Sequence, residues 1–459
     1  MIFQQILNEE TGCLSYLIGC GQAGRAAVVD PGRDRVDDYL ALARRKGLTI
    51  TDIIETHVHA DHVSGNQALA AKCGARIRIH PAASAAYAHE PAEDGLELSI
   101  GTVSLKVLHT PGHTPDSISL LVTDLSRGGE PWFVLTGDTL FIGDVGRPDF
   151  GGESAAADLY RSLTGRLLTL PDSVEVYPAH GAGSTCGRAM SSKTASTIGF
   201  ERRFNAALQA AGVDAFVSRL MQGLPPKPPN FERIIAKNRS RMLLASGELQ
   251  PLSAAQAREL LDKGACVLDV RSPEEYGEGH IPSALNVWIE SPQFAARAGL
   301  FLPAEAAVVL VASSPTDLTR AAQGLGRIGV DELAGYLQWG MTDWRSQGLP
   351  VARVPQITVH DLATMREEQP ALVVVDVREP FEWDEGHIDG AVHLPMGEAV
   401  RRLDELPADR PKAVLCAGGL RSSTVISALS REGMSGWQNV IGGMGAWVKA
   451  GYSTVKPSA

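Results

Sequence analysis

Long hydrophobic runs are missing from these 459 residues. No apolar stretch approaches the ~20 residues that a membrane-crossing helix needs. The opening Met1-Ile2-Phe3-Gln4-Gln5 lacks the basic and then apolar segments of a secretory signal. Paired cysteines are missing too: Cys13, Cys20, Cys73, Cys186, Cys266 and Cys416 are scattered, with no Cys-x-x-Cys. In a chain of this size that speaks against a disulfide framework and predicts reduced thiols in a cytoplasm. Positive charge is in deficit. With 42 Lys and Arg against 53 Asp and Glu the net charge is −11, which argues against nucleic acid and an anionic membrane surface as partners. A homo-oligomer stays open. The remainder is ordinary globular composition, 44% hydrophobic and 21% charged, long enough for about three domains.

The densest chemistry lies in Thr56-His57-Val58-His59-Ala60-Asp61-His62. It follows Thr51-Asp52-Ile53-Ile54-Glu55, a short predicted strand, so three histidines and an aspartate share one loop. Imidazole and carboxylate so crowded are costly without a cation to orient and neutralise them. Three further apolar runs end the same way. Val103 to Leu108 leads into His109-Thr110-Pro111-Gly112-His113, Trp132 to Leu135 into Thr136-Gly137-Asp138, and Val174 to Tyr177 into Pro178-Ala179-His180. Four strands therefore deliver a His or Asp at a C-terminal edge, where α/β layers commonly build sites. A single His-x-His is a cheap match; this ordered set is not.

The set resembles the metallo-β-lactamase superfold, over about the first half of the chain. The first domain is expected over residues 1–245, ending in a helical stretch broken by Gly223-Leu224-Pro225-Pro226-Lys227-Pro228-Pro229, which cannot be helix interior.

The rest repeats itself. Val267-Leu268-Asp269-Val270-Arg271-Ser272-Pro273 recurs as Val374-Val375-Asp376-Val377-Arg378-Glu379-Pro380, and Gly279-His280-Ile281 as Gly386-His387-Ile388, both at an offset of 107 residues. Trp344 matches Trp447. These motifs resemble the rhodanese domain, over 251–355 and 356–459. The fold class implied is α/β: a metallo-β-lactamase αββα sandwich followed by two rhodanese-like α/β domains with parallel sheets.

The copies differ at one loop. In the second, the strand Ala413-Val414-Leu415 runs into Cys416-Ala417-Gly418-Gly419-Leu420-Arg421-Ser422 and then a helix. A helix N-terminus, loop N–H groups and the Arg421 guanidinium are expected around the thiol, and all three favour thiolate. Gly418 and Gly419 let the backbone fold into a cradle for a terminal sulfur anion. Cys416 and Arg421 are separated by four residues, as in rhodaneses, where the related phosphatase loop has five. In the first copy Ala312 stands opposite Cys416 and Asp317 opposite Arg421, so that copy is expected to be catalytically silent. Its Cys266 reads as core packing.

Seven metal-type residues match the dizinc hydrolases of the superfold. By that resemblance His57, His59 and His113 hold one zinc, Asp61, His62 and His180 a second, and Asp138 bridges. The wider context, through His62-Val63-Ser64-Gly65 and Asp138-Thr139-Leu140-Phe141-Ile142-Gly143-Asp144-Val145-Gly146-Arg147-Pro148-Asp149-Phe150, looks like the persulfide dioxygenases. That resemblance implies one Fe(II) on His57, His113 and Asp138, with His59, Asp61, His62 and His180 as surrounding groups, and a reaction of a low-molecular-weight persulfide with O₂. Sulfite and thiosulfate become the small-molecule partners of the rhodanese loop. Arg147 either pairs with a substrate carboxylate or with Asp149, and Cys186 is either a sulfur carrier or packing. Two other functions stay open: a dizinc thiolester hydrolase of the glyoxalase II type, and a sulfur-relay scaffold with a vestigial metal site.

Overall fold

A computed structural model describes residues 1–148, 150–181, 190–222, 227–228, 230–241, 249–303 and 305–457. Contacts divide the chain into two compact units, Met1–Ala245 with Gly326–Gly329, and Ser246–Leu325 with Val330–Ala459.

The first unit pairs two six-stranded sheets. The first holds β1 (Ile2–Leu7), β2 (Leu14–Cys20), β3 (Arg25–Val29), β4 (Thr49–Ile54), β5 (Arg76–Ile79) and β6 (Glu90–Pro91) in sequential order. The second holds β7 (Glu97–Ile100), β8 (Val103–His109), β9 (Ile118–Asp124), β10 (Phe133–Gly137), β11 (Glu175–Pro178) and β12 (Ser196–Thr197), likewise sequential. The period-2 alternation of β2 sorts its side chains. Tyr16 and Ile18 join Leu105, Val107, Leu120 and Leu135 in the core between the sheets. Leu17 faces the other way, under α1 (Val36–Arg45), whose Val36, Tyr39 and Ala43 recur at helical spacing. α2 (Asn66–Cys73) lies on that same outer face. The opposite outer face packs Val134 and Val176 against α3 (Gly152–Ser162) and α5 (Val213–Met221), with α4 (Ile198–Phe204) between them in sequence. The layers are helix, sheet, sheet, helix. α6 (Phe231–Arg239) completes the unit.

Strand β1 was not foreseen, because Ile2-Phe3-Gln4-Gln5-Ile6-Leu7 shows no alternation; it forms by antiparallel pairing with β2. Of the proline-rich connector only Lys227 and Pro228 fall within the described residues, between α5 and α6. The four ligand-bearing strands are also not neighbours in one layer: β4 belongs to the first sheet and β8, β10 and β11 to the second.

The second unit contains two five-stranded sheets, each wholly parallel. The first copy runs β13 (Pro251–Leu252), α7 (Ala254–Asp262), β14 (Cys266–Asp269), α8 (Pro273–Glu278), β15 (Leu285–Asn286), α9 (Phe294–Phe301), β16 (Val308–Val311), α10 (Pro315–Arg327), β17 (Leu333–Leu337) and α11 (Gly340–Ser346). The second runs β18 (Gln356–Ile357), α12 (Val359–Glu368), β19 (Val373–Asp376), α13 (Pro380–Glu385), β20 (Val392–His393), β21 (Lys412–Leu415), α14 (Leu420–Arg431), β22 (Trp437–Val440) and α15 (Gly443–Lys449). Strand orders β13-β17-β16-β14-β15 and β18-β22-β21-β19-β20 are the same permutation.

The repeated motifs are a structural device. Asp269 is fully buried and takes Arg271 Nε at 2.9 Å, while Arg271 Nη2 donates to the Gly279 carbonyl at 3.1 Å. Asp376 and Arg378 do the same at 3.0 Å, reaching the Gly386 carbonyl at 2.8 Å. Each pair thus ties a central strand end to the Gly-His turn. His280 then stacks on Tyr276 and His387 on Trp383, at centroid distances of 3.7 and 3.5 Å.

Candidate functional sites: a metal centre and a cysteine loop

The loop after β4 brings His57 beside His113, which follows β8, and Asp138, which follows β10. One ligand atom from each lies within 4.8 Å of the others, and all three residues are buried. Their hydrogen bonds assign the tautomers. Thr56 Oγ1 donates its only proton to Asp30 Oδ2 at 2.8 Å, so it accepts from His57 Nδ1 at 2.9 Å. His113 Nδ1 faces the Arg147 carbonyl at 2.8 Å, an acceptor only, and must donate. In the neutral rings both lone pairs are therefore on Nε2, and both Nε2 atoms face Asp138 Oδ2, at 3.9 and 3.6 Å. Asp138 Oδ2 is buried with no hydrogen-bond partner. An orphan carboxylate oxygen facing two imidazole lone pairs costs ~1–3 kcal/mol or more unless a cation shares the space. The donor set fits a metal ion: this is a His/Asp metal-binding site.

Gly146 makes the approach possible. A Cβ there would stand 1.8 Å from the Asp138 carbonyl oxygen and 3.3 Å from His113 Cβ.

The remaining histidines are paired differently. His59 Nε2 sits 3.3 Å from Asp30 Oδ1 and 3.2 Å from Glu55 Oε2. Burial opposes its charge, yet Asp30 and Glu55 hold its pKa well above the ordinary histidine value. His62 Nδ1 lies 3.2 Å from Asp61 Oδ1; burial again opposes charge, and Asp61 outweighs it, raising His62 to about 9. His180 bridges two carboxylates, Asp138 Oδ1 at 2.7 Å and Asp61 Oδ2 at 2.9 Å. Burial would raise the Asp138 carboxyl, but His180, then His57 and His113, hold it well below the usual range. Burial pushes the other way at His57, whose pKa falls well below normal, with the His59 charge adding to the fall. His57, His113 and Asp138 thus stand beside three imidazoles that each face carboxylates.

A cleft of about 370 Å³ opens beside His113, lined by Pro111, Thr114, Phe150, Ser154 and Asp158 among others. Arg147 is not in that lining; it is buried, and its carbonyl anchors His113. Asp149 and Cys186, the other two candidates for a substrate pocket, lie outside the described residues.

In the second unit Cys416 follows β21 directly and is 1% exposed. The Gly419 N–H donates to its Sγ at 3.0 Å, and Ser422 Oγ stands at 3.7 Å. Gly419 is the cap of α14 at φ +96°, a conformation that suits glycine. The loop Cys416-Ala417-Gly418-Gly419, with Leu420 opening the helix, thus turns the Gly419 amide toward the sulfur. Arg421, expected to support the thiol, lies close enough for the Cys416 charge to act on it. Its guanidinium is also held by Glu382 at 2.6 and 2.7 Å, a bidentate pair. In the first copy the matching position after β16 is Ala312: Val311 pairs with Asp269 as Leu415 pairs with Asp376. Cys266 is half-buried rather than packed in the core, and accepts from Arg431 Nη2 at 3.4 Å.

Comparison with known proteins matches residues 8–180 to the metallo-beta-lactamase superfamily, and residues 253–347 and 358–450 to the rhodanese-like domain. A metallo-beta-lactamase structure from Staphylococcus aureus is 32% identical, with a TM-score of 0.67, covering 73% of this chain and 98% of its own. The chain belongs to the metallo-β-lactamase superfamily and carries two rhodanese-like domains. Among its relatives, the mitochondrial persulfide dioxygenase of Bos taurus is 28% identical over 238 residues, 52% of this chain and 87% of that protein. A hydroxyacylglutathione hydrolase of Nitrosococcus oceani is 36% identical over 169 residues, 36% of this chain and 61% of that protein.

In this superfamily member the sequence-derived residues His57, His59, Asp61, His62, His113, Asp138 and His180 all gather at one end of the sandwich. Four residues there were not singled out from sequence. Asn238 on α6 donates to the carbonyls of His59 and His62, both at 2.8 Å, and accepts from Ser64 N at 2.8 Å. Asp116 accepts from Val58 N at 2.7 Å, and Asp30 from Thr56 N at 2.7 Å. Cys13 lies 3.2 Å from Asp61 Oδ2 and 3.5 Å from His180 Nε2. Only Asp30 gave a signal, as a polar residue closing an apolar run before Pro31-Gly32. Among the described residues no helix is long and apolar enough to cross a membrane.

Proposed function

We propose that the chain is a non-haem iron persulfide dioxygenase joined to a rhodanese sulfurtransferase, with functional units 1–245, 251–355 and 356–459. The first unit converts R–S–SH, O₂ and water to R–SH, sulfite and two protons; glutathione persulfide is the type of substrate meant. His57, His113 and Asp138 would hold Fe(II), which supplies open positions for O₂ and sulfur and the redox capacity for their reaction. The chain's own residues do the rest. Thr56 and the Arg147 carbonyl fix the two ring orientations, and His180 fixes Asp138 while Asp61 holds His180. The cleft beside His113 offers apolar walls at Pro111, Pro115 and Phe150 to the thiol moiety.

The observation that carries this reading is the asymmetry of the histidines. His57 and His113 turn Nε2 toward one orphan carboxylate oxygen, His62 and His180 are hydrogen-bonded to carboxylates, and His59 lies between the carboxylates of Asp30 and Glu55. That suits one ion rather than two. The fused cysteine loop supports sulfur chemistry at both ends of the chain, and the bovine relative points the same way. A dizinc thiolester hydrolase is the second reading, favoured by the hydroxyacylglutathione hydrolase relative and by the complete set of seven ligand-type residues. A sulfur-relay scaffold is the third. In the rhodanese step Cys416 carries the sulfane sulfur; the first copy, with Ala312 at that position and Asp317 opposite Arg421, is read as silent.

Two variants test the assignment together. His113→Ala is expected to abolish iron content and persulfide-dependent oxygen uptake while thiosulfate:cyanide transfer survives. Cys416→Ser is expected to do the reverse. Full oxygen uptake in His113→Ala would overturn the metal assignment, and retained sulfur transfer in Cys416→Ser would overturn the rhodanese one.

A further inference from the structure

The first rhodanese-like copy carries α9 between β15 and β16, where the second has only two short 3-10 turns, Met396–Glu398 and Leu403–Glu405. That extra helix lies against the helix that begins at the cysteine loop. α14 is buried from Ser422 through Leu429. Ser423 Oγ donates to Asn286 Oδ1 at 2.6 Å, and Asn286 N donates to Ser427 Oγ at 2.9 Å. Further along, Arg431 Nη1 donates at 3.3 Å to the carbonyl of Phe301, the last residue of α9. The copy without a cysteine therefore forms one wall of the helix that presents the cysteine.

One turn before Phe301 stands Arg297. It is half-buried, and its charge interacts with Cys416, Arg421, Glu379 and Glu382. Among the described residues its guanidinium makes no hydrogen bond and no ion pair. Arg421 is the contrast: Glu382 takes it with two short bonds. Two arginines, one from each copy, thus lie within electrostatic range of Cys416, Arg421 paired with a carboxylate and Arg297 not. Burial, then repulsion from Arg421, lowers the pKa of Arg297, a cost that a bound anion would relieve.

We infer that Arg297, contributed by the silent copy, is the anion-recognition residue of the Cys416 pocket, binding the oxyanion end of a thiosulfate- or sulfite-type ligand. The inference rests on Cys416 being the transfer thiolate. In that step the Cys416 thiolate attacks the outer sulfur of thiosulfate, and the S–S bond breaks with its electron pair leaving on sulfite. A Cys416 persulfide anion remains. Cyanide then takes the terminal sulfur as thiocyanate and returns the thiolate. Arg297 would hold the sulfonate oxygens through the first half, which is a use for the first copy that an isolated second copy lacks.

The test uses the full chain and thiosulfate itself. Arg297→Gln is expected to raise KM for thiosulfate on the order of ten-fold or more, the loss of a charged hydrogen bond, with kcat changed far less. Arg297→Lys should recover much of that loss, whereas a purely structural role would leave Lys and Gln alike. An unchanged KM in Arg297→Gln, or equal losses in both variants, would overturn the inference. Calorimetry of thiosulfate binding to Cys416→Ser, with and without Arg297→Gln, keeps the two readings apart. Binding that depends on Arg297 in a chain whose wild type transfers no sulfur would sink the sulfurtransferase reading and keep the anion site. Transfer that ignores Arg297 would do the opposite.

Discussion

Replacing Asn238 by alanine should loosen the metal centre from a distance. Asn238 is 5% exposed and spends its whole amide on the histidine loop. Nδ2 holds the His59 and His62 carbonyls and Oδ1 holds Ser64 N–H, each at 2.8 Å. The substitution leaves two buried carbonyls and one buried N–H without partners, each worth ~1–3 kcal/mol. Water entering the space left by the amide would recover part of that. A net loss of about 3 kcal/mol is expected, a large share of the ~5–15 kcal/mol that holds a domain together. Because the same loop carries His57, the loss should also reach the metal. Removing a group that orients ligands typically costs ~10–100-fold in metal affinity. Chelator competition for Fe(II), alongside thermal unfolding of the full chain, measures both effects. Asn238→Asp should be no better, since it sets a carboxylate against two carbonyl oxygens. Iron affinity and unfolding temperature both equal to wild type would refute the claim that α6 fixes the loop.

Two further outcomes are expected. Burial opposes the charge of Glu382, but hydrogen bonds and charge from Arg421, with the Glu379 N–H, hold its carboxyl below the normal range. A depressed folded pKa stabilises above the unfolded value of about 4.3 and is lost as pH falls through the folded one. Acid unfolding followed by tryptophan fluorescence should therefore steepen below pH ~4, and Glu382→Gln should flatten that slope; an unaltered slope would contradict the pairing. In the silent copy, mass spectrometry of Cys416→Ser chain treated with thiosulfate should find no added sulfur on any residue of 251–355, and an adduct on Cys266 would contradict that silence.

The parts of the molecule that sequence reveals are those written in short range. His57-x-His59-x-Asp61-His62 is contiguous, and the other ligands each end an apolar run, so strand, turn and ligand appear together. The repeat was visible because both copies need Asp-x-Arg to tie a strand end to Gly-His, which fixes spacing as well as residue type. Contacts made across the fold left no such trace. Asn238 reaches its loop from 176 and 179 residues away, and Cys13 meets His180 across 167. The spacing to Cys416 points to Arg421 but cannot show Glu382, 39 residues earlier, which shares its guanidinium. Arg297 carries no local signal; its place follows from the contact of α9 with the neighbouring copy's helix.

Metal analysis of protein purified without oxygen, paired with oxygen uptake on glutathione persulfide, tests the central claim most directly. One iron per chain, with uptake that scales with iron content and sulfite as product, is the predicted result. Two zinc ions per chain, no oxygen uptake and hydrolysis of a glutathione thiolester would contradict it.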